Sequence, residues 1–154
     1  MTAASMATTT RTTTAPVGDT TAAGPATGAF DGGAWIRPWL RLEGLAVFGA
    51  GLAGFLAIGL PWYLFAGLLL LPDVSAAGYL RGPRVGAIVY NAVHDLFTGA
   101  AIAGIGLALG SVPVMAIGAV LVAHSGMDRA AGYGLKLPTA FQDTHLGRIG
   151  RRAA

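Results

Sequence analysis

Two histidines and two aspartates, Asp73, His94, His124 and Asp128, lie within an otherwise apolar chain. Imidazole and carboxylate groups together support three kinds of role. They bind Zn, Fe or Mn, and a site with three protein ligands keeps a place open for a water that the metal activates. They are also the usual intramembrane proton carriers. The bland role is a buried hydrogen-bond network that fastens helices. His124 and Asp128 are four residues apart and Asn91 precedes His94 by three, so each pair projects from one helix face. For a divalent transition metal the natural ligands are His94, His124 and Asp128, with Asp73 as a fourth ligand or base. For general acid–base or proton-relay work the candidates are Asp73 and His94. The spacing does not match the H-E-x-x-H metalloprotease helix. The chain has no cysteine, which removes thiolate ligands, disulfides and cysteine nucleophiles from consideration.

The elements that must position these groups follow from the hydropathy. The 154 residues are 54% hydrophobic and only 11% charged, against about 25% charged in soluble domains. No Asp, Glu, Lys or Arg occurs over Gly44–Pro72 or Leu96–Met127, stretches of 29 and 32 residues. Each exceeds the roughly 20 residues that cross a bilayer once, so each holds parts of two helices. Gly59 and Pro61, the Gly82–Pro83 pair, and Gly110 with Pro113 punctuate the chain. The expectation is an all-α membrane protein, a four-helix transmembrane bundle with helices over about 40–58, 62–80, 84–109 and 112–131. Residues 1–34 are rich in Thr, Ala, Gly and Pro and read as a disordered tail. Residues 132–154 read as a cytoplasmic, interfacial C-terminal segment.

Lys and Arg precede helix one, join helices two and three, and follow helix four, while the other two turns carry none. The positive-inside rule therefore places both termini on the cytoplasmic side. With that orientation Glu43, Asp73, Asn91, His94, His124 and Asp128 all fall in the cytoplasmic half. Since an Asp at a membrane helix centre costs about 2.5–3.5 kcal/mol, several at one depth are expected to meet. Glu43, Asn91 and His145 are read as members of a structural polar network. Arg129, Tyr133 and Lys136 are read as contacts for an anionic headgroup. The net charge of +3 is taken up by these topology signals, and no basic face with interleaved aromatics points to nucleic acid. Small residues recur every four positions, at Ala46, Ala50 and Gly54 and at Ala100, Gly104 and Ala108. These stripes are expected to pack within the chain, with a homo-oligomer face as their other use.

From about Trp39 to Ile149 the chain resembles the DUF4260 family, small bacterial integral membrane proteins grouped as a domain of unknown function. The likeness rests on "LRLEG" at 40–44, "PDVSAAGYLRGPRVGA" at 72–87, "YNAVH" at 90–94, "HSGMDRAAGYGLK" at 124–136 and "FQDTHLG" at 141–147. The resemblance implies a multi-helix membrane protein and no particular activity. Asp95 looks peculiar to this chain and ranks below His94. A weaker likeness, in a Pro-Asp pair and histidines at helix ends, is to membrane-bound metal-dependent hydrolases, whose signature "HSG" and "THL" only echo. The leading expectation is a multi-pass protein of the bacterial cytoplasmic membrane whose His/Asp cluster is a structural network or binding site. The alternatives are a metal-dependent hydrolase of a lipid-linked substrate and a proton-coupled transporter or channel working as a homo-oligomer.

Overall fold

The computed structural model describes residues 35–150, which are helical apart from a small C-terminal hairpin. The tail expected over 1–34 lies outside the described residues. Helix α1 spans Arg37–Ala57, with Pro38 in its first turn, where an amide hydrogen has no partner to lose. The chain turns at Gly59, in the left-handed region at φ 82°, and Pro61 leads into α2, Trp62–Leu68. A 3₁₀ helix follows over Leu71–Arg81, then α3 over Pro83–His94, α4 over Leu96–Ala108 and α5 over Val112–Ala131. Gly132 at φ 94° closes α5, with the amides of Gly132 and Tyr133 returning to the carbonyls of Arg129 and Asp128.

Two breaks interrupt what the hydropathy presents as continuous helices. Pro72 cannot donate an amide hydrogen, and the Asp73 amide bonds to Leu70 O at 3.2 Å, so the α2 ladder gives way to a 3₁₀ helix. At Asp95 the backbone turns extended, and its carboxylate accepts hydrogen bonds from the amides of Phe97 and Thr98 and from the Thr98 hydroxyl at 2.6 Å. Asp95 is thus the N-cap of α4 rather than a member of the polar cluster. The α3–α4 pair bends there by 46°.

Helix α5 is central, packed by α1 on one side and α4 on another, while α3 packs on the 3₁₀ helix. Glycines bring the backbones together at Gly44, Gly51 and Gly126 between α1 and α5, and at Gly99, Gly106 and Gly118 between α4 and α5. The stripes at Ala46, Ala50 and Gly54 and at Ala100, Gly104 and Ala108 do not form these contacts. They are exposed, because the buried faces run through Phe48, Gly51 and Phe55 and through Gly99 and Gly106. Phe55 and Phe65 meet edge-on at 5.3 Å and join Ala116, Ala119, Val120 and Ala123 in an apolar core.

Arg37–Ala57 and Trp62–Arg81 are long and apolar enough to cross a bilayer, and the bent α3–α4 pair makes a third candidate. Helix α5 is as long, but His124, Ser125, Asp128 and Arg129 occupy its last turns. Large apolar side chains such as Leu45, Leu70, Ile88, Phe97 and Leu107 are more than half exposed, which suits lipid far better than water. Beyond α5 the chain forms an antiparallel hairpin, β1 Asp143–Thr144 with β2 Gly147–Arg148, and Lys136 bridges to Thr144.

Candidate metal centre

Three elements deliver four side chains to one point beside the C-terminal half of α5. His94 comes from the last turn of α3, His124 and Asp128 from α5, and Asp73 from the start of the 3₁₀ helix. Both imidazoles are almost fully buried. His94 Nδ1 lies 2.8 Å from Tyr90 O and His124 Nδ1 lies 2.7 Å from Leu69 O. A carbonyl only accepts, so each Nδ1 carries the hydrogen and donates it. The Leu69 carbonyl is available for a specific reason. Its 3₁₀ partner would be Pro72, which has no amide hydrogen, and its α-helical partner, the Asp73 amide, bonds to Leu70 instead.

With both Nδ1 atoms committed, the two Nε2 atoms present lone pairs, and they face each other at 3.0 Å. Two acceptors at that distance repel unless a cation or a proton lies between them. Asp73 Oδ1 is 3.5 Å from each Nε2. These three atoms form a triangle whose corners lie about 1.9 Å from its centre, a spacing that suits metal–ligand bonds of about 2.0–2.1 Å. Asp128 Oδ2 is 4.0 Å from both Nε2 atoms and accepts the Tyr90 hydroxyl at 3.0 Å. It therefore stands one shell back, where it can orient a bound water or its neighbours.

The match to known sequences follows the same boundaries. The profile of the family described as Domain of unknown function (DUF4260) matches residues 37–149, from the first residue of α1 to the end of the hairpin. The chain belongs to the DUF4260 family. No curated protein and no solved structure matches the chain.

Not every expected site residue of this DUF4260 chain joins the cluster. Asn91 turns to the C-terminal segment, where its amide accepts from Lys136 N at 2.7 Å and donates to Lys136 O at 2.9 Å, as a neighbouring strand would. His145 accepts from Leu135 N at 2.9 Å and ties the hairpin to the chain leaving α5. Glu43 is exposed on α1. Arg129 donates to Tyr133 O at 3.2 Å, and both line a cleft that includes His145 but neither His94 nor His124. Lys136 is buried instead, with Nζ 3.9 Å above the Phe141 ring and 5.0 Å from the Tyr90 ring. Burial pushes its ammonium below the ordinary lysine range, and the charges of Asp128 and Asp73 oppose that shift.

Tyr90 is a site residue that the sequence reasoning overlooked. Its ring stacks on His94 at 3.5 Å between centroids, and its hydroxyl holds Asp128. Its position four residues before His94 on the same helix face was the available signal.

Proposed function

We propose that the protein is a multi-pass protein of the bacterial cytoplasmic membrane that holds a divalent transition metal ion between His94, His124 and Asp73. The observation that carries this reading is the pair of Nε2 lone pairs facing each other at 3.0 Å, each fixed by an Nδ1–H bond to a backbone carbonyl. Metal-bound imidazoles carry this same second-shell bond, which sets the tautomer and raises ligand basicity. Two histidines and one carboxylate favour Zn, Fe or Mn. An ion held there would supply Lewis-acid chemistry for hydrolysis. Asp128, held by Tyr90 4.0 Å from both Nε2 atoms, would be the neighbouring base. The reaction class this supports is hydrolysis of a lipid-linked substrate at the membrane face. In this reading helices α1, α2 with the 3₁₀ helix, α3 with α4, and α5 form four crossings with both termini in the cytoplasm.

Metal analysis of detergent-purified protein loaded with Zn²⁺ tests it. About one ion per chain is expected, and none after loading would overturn the assignment. A reporter fused after Ala154 should be active only in the cytoplasm, and periplasmic activity would overturn the orientation.

The second reading is a structural network in which the two Nε2 atoms share a proton. It is favoured by the hydrogen bonds Tyr90–Asp128 and Asn91–Lys136, which fasten α3 to α5 and to the C-terminal segment. It predicts that His124→Ala lowers the melting temperature of a protein that binds no metal.

A further inference from the structure

A second concave region lies between the start of α1, the end of α5 and the hairpin, with a volume of about 770 Å³. Four arginines reach it from three elements: Arg37 and Arg41 from α1, Arg129 from α5 and Arg148 from β2. Among the described residues no Asp or Glu lines this cleft. Arg148 pairs at 3.3 Å with Asp143, whereas Arg37, Arg41 and Arg129 form no ion pair with a described residue. Gly132 lets the Arg41 guanidinium lie against the end of α5, since a Cβ there would come within 3.3 Å of its Nη2. The Arg129 bond to Tyr133 O holds a second guanidinium in place.

Next to the cleft is a smaller recess of about 200 Å³ that shares Leu40, Arg129, His145 and Leu146 with it. Its walls are mainly apolar, and they include Ser125, whose buried Oγ has no hydrogen-bond partner. Glu43 also lines this recess, so a negative charge is favoured at the arginines and a neutral, partly apolar group inside. Trp35 and Trp39, both more than 60% exposed, flank the arginines as residues at a headgroup boundary do.

We propose that this cleft binds the phosphate of an anionic phospholipid, with the neutral glycerol region entering the recess towards Ser125. Planar guanidiniums recognise phosphate oxygens in pairs, and several of them together select an anionic over a zwitterionic headgroup. This site is distinct from the His/Asp cluster and stands or falls independently of it.

The test titrates the full chain in neutral detergent with phosphatidylglycerol and with phosphatidylcholine of the same acyl chains, read by native mass spectrometry. The wild type should retain phosphatidylglycerol preferentially, and each arginine removed in Arg37→Ala and Arg41→Ala should reduce the preference about fivefold. Arg84→Ala, in the first turn of α3, should leave it unchanged. The Arg37→Lys/Arg41→Lys protein keeps the charges without the planar fork and should lie between wild type and the double alanine variant. An unchanged preference in the double alanine variant, or an equal loss in Arg84→Ala, would overturn the proposal. Inorganic phosphate displacing the lipid at equal concentration would assign the cleft to a soluble phosphate and overturn the lipid source.

Discussion

Replacing Asp73 by asparagine should weaken Zn²⁺ or Co²⁺ binding far more than the same change at Asp128. Asp73 Oδ1 completes a triangle of 3.0, 3.5 and 3.5 Å with the two Nε2 atoms, whereas Asp128 Oδ2 stands 4.0 Å from each and is already engaged by Tyr90. Structural zinc in peptides is bound by about 10–16 kcal/mol over four ligands, or about 2.5–4 kcal/mol per ligand. Loss of one ligand at tenfold per 1.4 kcal/mol therefore corresponds to about 100- to 1000-fold in affinity. Asp128→Asn removes an outer-shell group, for which about 10- to 100-fold is expected. Competition against a chromophoric chelator measures both, and the Co²⁺ absorption spectrum reports whether the coordination number changes. Binding should tighten as pH rises and weaken as it falls, because protons compete for the Nε2 lone pairs that the ion uses. If Asp128→Asn abolished binding while Asp73→Asn stayed within tenfold of wild type, the ligand assignment would be refuted.

Pro72→Ala returns the Leu69 carbonyl to the helix ladder and leaves His124 Nδ1 without its acceptor; metal affinity should fall about 10- to 100-fold, a second-shell effect measured by the same competition. Gly118→Val should lower the melting temperature, since a Cβ there would overlap the Ala103 backbone and overpacking costs about 1–3 kcal/mol. Gly104→Val should be tolerated in the same melting experiment, because nothing lies within 4 Å of its Cβ position. Asn91→Ala strips two hydrogen bonds from the Lys136 backbone, and at about 1–3 kcal/mol per unsatisfied group, amide exchange over residues 135–145 should quicken at least tenfold.

How much of this was legible in the sequence depends on which physical signal each feature left. Helical, lipid-compatible segments were legible because long charge-free runs and glycine–proline punctuation are direct consequences of a bilayer solvent. The pairing faces were not. In "GLAVFGAGLAGFLA" small residues point in every direction, so four-residue spacing picks out Ala46, Ala50 and Gly54 as readily as the Gly44, Gly51 and Phe55 face that packs on α5. The break at Asp95 had a signal, an Asp three residues before Thr98 in the pattern of an N-cap, but continuous hydrophobicity masked it. Asp73, His94, His124 and Asp128 stand out in the sequence because polar groups at one depth tend to meet. Distance along the helix could not rank Asp73 above Asp128, because that order depends on the 3₁₀ geometry set by Pro72. The burial of Lys136 was illegible as well, since it follows from the Asn91 clamp across 45 residues of sequence.

That clamp also bears on when the polar cluster can be completed. Synthesis runs from the N-terminus, so Asp73, Tyr90 and His94 emerge well before His124 and Asp128, and Lys136 follows only after these. Until the last segment arrives, the first three polar groups have no partners on α5, and Asn91 has no strand to hold. Water can serve them in the interval. The last contact to form is then that of Lys136 with Asn91, so a released chain truncated before Lys136 would keep all its helices yet leave Asn91 on α3 to water.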